Sequence, residues 1–287
     1  MTIWNLGSIN LDRLYHLPHL PQPGETIASR TYREGLGGKG ANMSVAAARA
    51  AAHVVHIGAV GADGRWAVER LLEYGVDTRW ITEHDGPTGH AIIALNPEGE
   101  NMILLYPGAN MAIPPDRIDQ ALSQASTGDW LLMQNETSAQ AEAARTARAL
   151  GLNVAYAAAP FDAEAVQAVL PYLDLLVMNA VEAAQLSKAT GQEPGALSVR
   201  DVVVTKGAEG CTLYANDGVK DFPAMPAEAV DTTGAGDTFT GYLLAGLDRG
   251  ENIAQAIHRA NRAAALMVTR LGTADVIPDL KDLEPHL

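Results

Sequence analysis

The feature that most constrains this chain is the run Asp231-Thr232-Thr233-Gly234-Ala235-Gly236-Asp237-Thr238, which leads straight into Phe239-Thr240-Gly241-Tyr242-Leu243-Leu244-Ala245-Gly246. Phe239, Tyr242, Leu243 and Gly246 recur at helical spacing, so the second half predicts a helix with one face toward a core. The first half reads as the turn that feeds it. Gly234 and Gly236 remove side chains where the backbone bends, and they let another molecule approach the peptide N–H groups. Unpaired N–H donors and the positive end of a helix dipole meet there, which makes an anion site suited to phosphate. Asp237 puts a carboxylate at the same point. Beside a phosphate, its useful task is to take a proton from a hydroxyl that attacks phosphorus. The blander alternative makes the glycines a turn and Asp237 an N-cap.

The rest of the composition sets the frame for that site. A chain of 287 residues with 47% hydrophobic content can build one large α/β domain with a small appendage. The net charge is −14 and the pI about 4.9. No lysine or arginine run offsets it, so nucleic acid and anionic membrane are not expected partners. An anionic nucleotide must then be held by backbone N–H groups, a few basic side chains and a metal ion. Cys211 is the sole cysteine, beside a strand-like Thr212-Leu213-Tyr214, and reads as a buried structural thiol. The first residues lack a basic patch followed by an apolar run, and no apolar stretch is long enough to span a bilayer. A cytoplasmic protein is expected.

Along the chain, Ile3 to Gly7 predicts a buried strand that runs into Ser8-Ile9-Asn10-Leu11-Asp12, placing Asn10 and Asp12 at the strand's exit. As an alternative, these two are only turn formers. Leu14 to Arg33 is broken by Pro18, Pro21 and Pro23, with short strands expected at Glu25–Ala28 and Thr31–Arg33. This β-rich excursion stands where a helix would follow a first strand. Then comes Gly35-Leu36-Gly37-Gly38-Lys39-Gly40-Ala41-Asn42 and a helix of small residues, with Lys39 and Asn42 able to bond a polyhydroxylated ligand. Gly35, Gly37 and Gly40 also satisfy the dinucleotide pattern, with Asp63 at ribose-holding distance. That pattern should follow the first core strand directly, and here it does not. A second excursion, His90–Leu95 and Met102–Tyr106 around a tight turn, reads as a hairpin. Helices and strands alternate elsewhere, and Thr205-Lys206-Gly207-Ala208-Glu209-Gly210 ends a strand in a glycine turn suited to a phosphate or sugar. His16/His19 and His53/His56 do not have the geometry of a zinc pair, because the first straddles Pro18 and the second lies on a strand whose faces alternate.

Gly37-Gly38-Lys39-Gly40-Ala41-Asn42 together with Asp231 to Phe239 resemble the two signatures of the ribokinase family of carbohydrate kinases. The resemblance extends from Asn5-Leu6-Gly7-Ser8-Ile9-Asn10 to Val268-Thr269-Arg270. It implies an α/β three-layer sandwich with a mostly parallel central sheet, one domain over residues 1–287, and a small β-sheet lid from about 13–34 and 87–107. It implies transfer of the γ-phosphoryl group of ATP to a sugar hydroxyl, ribose at its 5-hydroxyl being the first choice. Asp237 would be the base, and Gly234, Ala235 and Gly236 the anion hole. Asn10, Asp12, Gly38, Lys39, Asn42, Glu136 and Asp237 would hold the sugar. ATP contacts carry over to Asn179, Thr205, Gly207, Gly210, Gly236 and Asn261. Glu182 would help organise Mg2+ through water. A monovalent cation, K+, would sit near Asp231 and Thr233 with carbonyls from Met267, Arg270 and Gly272. An open lid edge would pair in a homodimer.

Two departures stand out. Val276 offers no hydroxyl at the cation loop where the family pattern has a serine, and Gly191 to Arg200 is too short for the helix expected before the Val202 strand. Fructose, another sugar or a nucleoside remain alternative acceptors. A sugar-binding regulator without catalysis is the alternative from another class, against which the intact Gly-Ala-Gly-Asp argues.

Overall fold

The computed structural model describes residues 1–286. The chain runs β1 (Thr2–Leu6), β2 (Asn10–His16), β3 (Thr31–Gly37), α1 (Lys39–Arg49), β4 (His53–Gly61), α2 (Arg65–Glu73), β5 (Asp77–His84), β6 (Gly89–Leu95) and β7 (Asn101–Tyr106). It continues through α3 (Pro115–Leu122), β8 (Trp130–Gln134), α4 (Gln140–Ala149), β9 (Asn153–Ala157), α5 (Ala163–Val169), β10 (Leu175–Asn179) and α6 (Ala180–Thr190). It closes with β11 (Asp201–Thr205), β12 (Cys211–Ala215), β13 (Gly218–Phe222), α7 (Ala235–Asp248) and α8 (Ile253–Met267).

A nine-stranded sheet has the order β13-β12-β11-β10-β9-β8-β1-β4-β5. It is parallel from β5 to β11, and β12 and β13 extend it antiparallel. Helices cover both faces, so the central strands read as nearly continuous apolar runs. One core lies under α1, α2, α7 and α8, with Met43, Leu71, Leu243 and Ile257. The other lies under α3 to α6, with Ile118, Ala144, Val166 and Leu186. This is the three-layer sandwich expected. From β1 the strand order runs to β4 on one side and from β8 onward on the other, so a crevice opens at the carboxyl ends of β1 and β8.

The small-residue texture of α1 has a packing cause. A Cβ on Gly241 of α7 would come within 2.7 Å of the Met43 carbonyl oxygen. The two helices therefore approach closely, and their N-terminal ends meet.

The lid is a four-stranded sheet of order β3-β2-β6-β7. Its bounds differ from the expected 13–34. The strands start at Asn10 and end at Gly37, because Asn10 already pairs with Gly37 and with Gly89. Asn10 and Asp12 are thus lid residues and not the exit of a core strand. Glu25–Ala28 forms no strand: this stretch lies beyond Pro21, Pro23 and Gly24, and the Glu25 carboxylate is used locally by the Gln22 N–H and by His19. Residues 191–200 carry only a short 3-10 turn, Pro194–Ala196. Strands β5 and β13 and helix α5 were not foreseen from the sequence.

Candidate active site

The start of α1 has no cap of its own. Gly38 stands at the N-cap with φ +92, and no side-chain cap bond is made. Residues from the crevice close it instead. The Ser8 hydroxyl accepts from Gly40 N–H at 3.1 Å and donates to Glu136, whose Oε2 also accepts from Lys39 N–H at 3.2 Å. A carboxylate at a helix N-terminus is favoured by the dipole. Ser8 follows β1 and Glu136 follows β8, so the crevice at the switch point delivers both.

The lid brings the next groups. The Asn10 Oδ1 accepts from Asn110 Nδ2 at 2.8 Å, and Asn110 Oδ1 accepts from Ile9 N–H at 2.9 Å. Asp12 lies over Gly37, where any side chain would overlap its carboxylate. Burial, with Glu136 and Asp237 nearby, pushes the Asp12 carboxyl up to about 7. Burial also raises Glu136. Lys39 answers these charges: Asp237 first, then Glu136 and Glu182, hold its ammonium above the ordinary value despite burial.

Asp237 is buried in the first turn of α7, after Gly234 with φ +78. Its Oδ2 accepts from Asn42 Nδ2 at 2.9 Å. Burial raises its carboxyl, while Lys39 and the Asn42 amide favour the charged form. The other amide atom, Asn42 Oδ1, is buried with no partner.

Two cavities meet at this turn. One of about 240 Å³ is bounded by Lys39, Asn179, Glu182, Thr205, Gly234 and Asp237. The other, about 540 Å³, has Asn179, Thr205, Gly207, Gly210, Gly236 and Asn261 among its walls. Its remaining walls are mainly apolar, including Ala227, Phe239, Ala264 and Val268. Such a slot, with few polar groups, suits a flat base. The sequence-derived nucleotide residues are therefore brought together.

The proposed metal positions divide. Glu182 borders the smaller cavity, but one of its oxygens already closes the capping box of α6 by accepting from Asn179 N–H at 2.8 Å. A carboxylate reaching Mg2+ through water fits that arrangement, since such an ion keeps several waters. At the other position, Asp231 accepts from Thr233 N–H at 2.9 Å and from Gly272 N–H at 3.2 Å. One carboxylate thus gathers both backbone stretches expected around K+. The carbonyl of Met267 accepts from Arg270 N–H at 3.0 Å. Val276 packs toward Gly272, 3.4 Å from where a Cβ would stand. An oxygen-only donor set of this kind suits a hard monovalent cation and not a transition metal.

Ser8 and Asn110 are site residues that sequence reasoning missed. Asn110 sits in Gly108-Ala109-Asn110, just after the last lid strand, a turn that the hairpin pattern did not single out. His53 is exposed because it begins β4, whose later residues, His56 included, are buried on both faces. Burial pushes the Cys211 thiol up to about 11, consistent with a structural thiol.

Residues 3–280 match the pfkB family of carbohydrate kinases. The chain belongs to that family. It is 33% identical to ribokinase of Haemophilus influenzae over 292 residues, 96% of this chain and 95% of that one. Among solved structures, ribokinase of Thermotoga maritima superposes with a TM-score of 0.90 at 30% identity, covering 99% of this chain and 98% of that chain. Ribokinase of Arabidopsis thaliana complexed with ribose and ATP gives a TM-score of 0.87 at 28% identity, with coverage of 99% and 97%. The carbohydrate kinase therefore shares the whole of its fold with ribokinases, lid included. Among the described residues no helix is long and apolar enough to cross a membrane.

Proposed function

We propose that this carbohydrate kinase transfers the γ-phosphoryl group of ATP to the 5-hydroxyl of D-ribose, with Asp237 as general base. The observation that carries it is the place of Asp237: a buried carboxylate at a helix start, with the acceptor-side Asn42 and Lys39 against it and the nucleotide cavities opening beyond Gly236. Ribose comes from the likeness to ribokinases along nearly the whole chain, including one complexed with ribose and ATP.

Asn10, Asp12, Gly38, Lys39, Asn42 and Glu136 hold the sugar hydroxyls. The acceptor hydroxyl takes the place beside Asn42 Oδ1 and Asp237. Asp237 receives its proton as the oxygen attacks, and Lys39 and Asn42 keep the carboxylate charged until then. The N–H groups of Gly234, Ala235 and Gly236 meet the phosphoryl oxygens, where the helix dipole favours developing negative charge. Asn179, Thr205, Gly207, Gly210 and Asn261 hold the nucleotide. Glu182 would hold Mg2+ through water, and Asp231 with the backbone of Thr233, Met267, Arg270 and Gly272 would hold K+. Bound magnesium supplies charge neutralisation on the phosphates, which the acidic protein cannot supply itself.

The exposed lid edge supports a homodimer. Strand β7 is an open edge on which Ile103, Leu104 and Leu105 are each more than half exposed, at 55%, 57% and 51%. Such an edge calls for a partner, and a second lid is self-complementary. Sedimentation of Leu104→Lys beside the parent chain tests this, a monomer being expected only for the variant.

An ADP-release assay over sugars and nucleosides, with ATP and Mg2+ and with or without K+, tests the main reading. Ribose should give the highest kcat/KM. Sugar binding without ADP release would make the chain a regulator, and a nucleoside optimum would move the acceptor.

A further inference from the structure

A polar row lies directly beneath the acceptor half, and no step of phosphoryl transfer uses it. Asn5 of β1 and Gln134 of β8 occupy the last position of their strands' faces under α1, and His56 of β4 pairs with Asn5 beside them. The preceding positions on that face, Ile3, Val54 and Leu132, are core hydrophobics. All three polar residues are fully buried, as is Ser44 of α1 above them.

Their hydrogen bonds form one directed chain. Gln134 Nε2 donates to Asn5 Oδ1 at 2.8 Å. Asn5 Nδ2 donates to Ser44 Oγ at 2.7 Å and to the Gly40 carbonyl at 2.8 Å. Ser44 and His56 Nδ1 are 2.8 Å apart, and His56 Nε2 lies 3.0 Å from the Gly7 carbonyl. A carbonyl only accepts, so Nε2 carries the proton and Nδ1 accepts from the Ser44 hydroxyl. One tautomer of a neutral ring satisfies every bond from Asn5 to Gly7. Burial, which holds the imidazole down at about 4, keeps it in that form.

The imidazole is seated in a cradle of bare backbone. A Cβ on Gly7 would stand 2.7 Å from the Gly40 Cα and 3.0 Å from His56 Cε1. A Cβ on Gly58 would stand 3.0 Å from His56 Nε2. The end of β1 and the start of α1 therefore touch through Gly7 and Gly40, and the polar chain grips both: His56 at the Gly7 carbonyl, Asn5 at the Gly40 carbonyl. The neighbours of those glycines do the work above. Ser8 and Lys39 bond Glu136, and Asn42 bonds Asp237.

We propose that His56, acting with Asn5 and Ser44, is a positioning residue for the acceptor: it fixes Gly7 on Gly40 and so sets the spacing of Ser8, Glu136, Lys39 and Asn42. An apolar row would fill the same space. Gln134 Oε1 stays unpaired, but from Asn5 to Gly7 the chain is satisfied and specifies one arrangement, because any slip there leaves a further buried donor or acceptor unpaired. The proposal rests on this half of the cleft being the acceptor site.

The test uses the full chain with His56→Phe, which removes both bonds at similar size, Ser44→Ala, which opens the chain midway, and His56→Gln, which retains an amide donor and acceptor. Ribose and ADP affinities are measured by titration calorimetry, with KM, kcat and Tm alongside. His56→Phe should weaken ribose binding and raise its KM about tenfold while ADP affinity stays within roughly twofold. Ser44→Ala should move the same way by about threefold, and His56→Gln should recover most of the loss. Should His56→Phe fail to fold, Ser44→Ala decides by the same contrast. Equal weakening of ribose and ADP, or a lowered Tm with unchanged ribose affinity, overturns the proposal. Parent chain that binds no sugar of the panel overturns the acceptor reading and the proposal with it. A parent that binds ribose, with variants that bind it equally well, overturns the positioning role alone.

Discussion

On the proposed acceptor side of Asp237, side chains make the surface: Asn10, Asp12, Lys39, Asn42 and Glu136, three of them, Asn10, Asn42 and Glu136, with a carboxylate or amide held by a second residue. On the proposed nucleotide side the walls are mainly apolar, Ala224, Ala227, Ala264, Phe239 and Val268 among them, with a few polar side chains, Asn179, Thr205, Thr232 and Asn261. One half offers directed bonds in a buried, charged space. In the proposed reading the other works by shape and main-chain N–H groups. The difference teaches where single substitutions should hurt. A bonded site concentrates its energy, and removing one partner strands another. A walled slot spreads its energy over many small contacts, so truncation costs little and filling costs more.

Asp237→Asn, at the junction, carries the largest expected effect. The loss in kcat should be about 10²–10⁴-fold in an ADP-release assay, with Tm nearly unchanged. A variant with near-normal kcat would remove Asp237 as the base and erase the junction between the halves. Next come Glu136→Gln and Asp12→Asn. Each should raise the sugar KM by about 10–100-fold and leave the nucleotide KM alone. A matching rise in nucleotide KM would mean that the halves are not separable. On the other side, Ala264→Leu should raise the ATP KM by about tenfold through overpacking, with the sugar KM unchanged.

The smallest effect is on stability against pH. The Asp12 carboxyl stands near 7 in the folded chain against 3.8 as its ordinary value. Between those values the folded state holds a proton that the unfolded state has lost. Stability must therefore fall as pH rises through that window. Burial raises Glu136 and Asp237 as well, which adds in the same direction. Thermal unfolding of the ligand-free chain from pH 4 to 8 should show a decline that is shallower in Asp12→Asn. An unchanged slope would place the acidic strain elsewhere than the acceptor half.

Legibility in the sequence followed the same divide. The anion turn at Gly234 to Asp237 was readable because a positive-φ glycine, a helix start and a carboxylate lie within a few residues. The alternation of strands and helices was readable from apolar runs, and the lid from prolines and a hairpin turn. The lid's start at Asn10 was not, since pairing with Gly37 and Gly89 is what extends it. Ser8 and Asn110 were not, because Ser8 finds Glu136 128 residues away and Ile9 finds Asn110 at a separation of 101. Strands β5 and β13 are only partly buried, so they lack the apolar runs that betray the inner strands.

Sequence alone determined the local devices: the glycine turn that exposes N–H groups, the helix behind it, and the carboxylate in its first turn. Those follow from neighbours in the chain, through backbone dihedrals and periodicity. Tertiary structure decided what faces that carboxylate. Only the strand order puts the ends of β1 and β8 under α1, and only the close approach at Gly241 brings Asn42 to Asp237. Bonds between such distant residues depend on how layers stack, and no spacing along the chain encodes that.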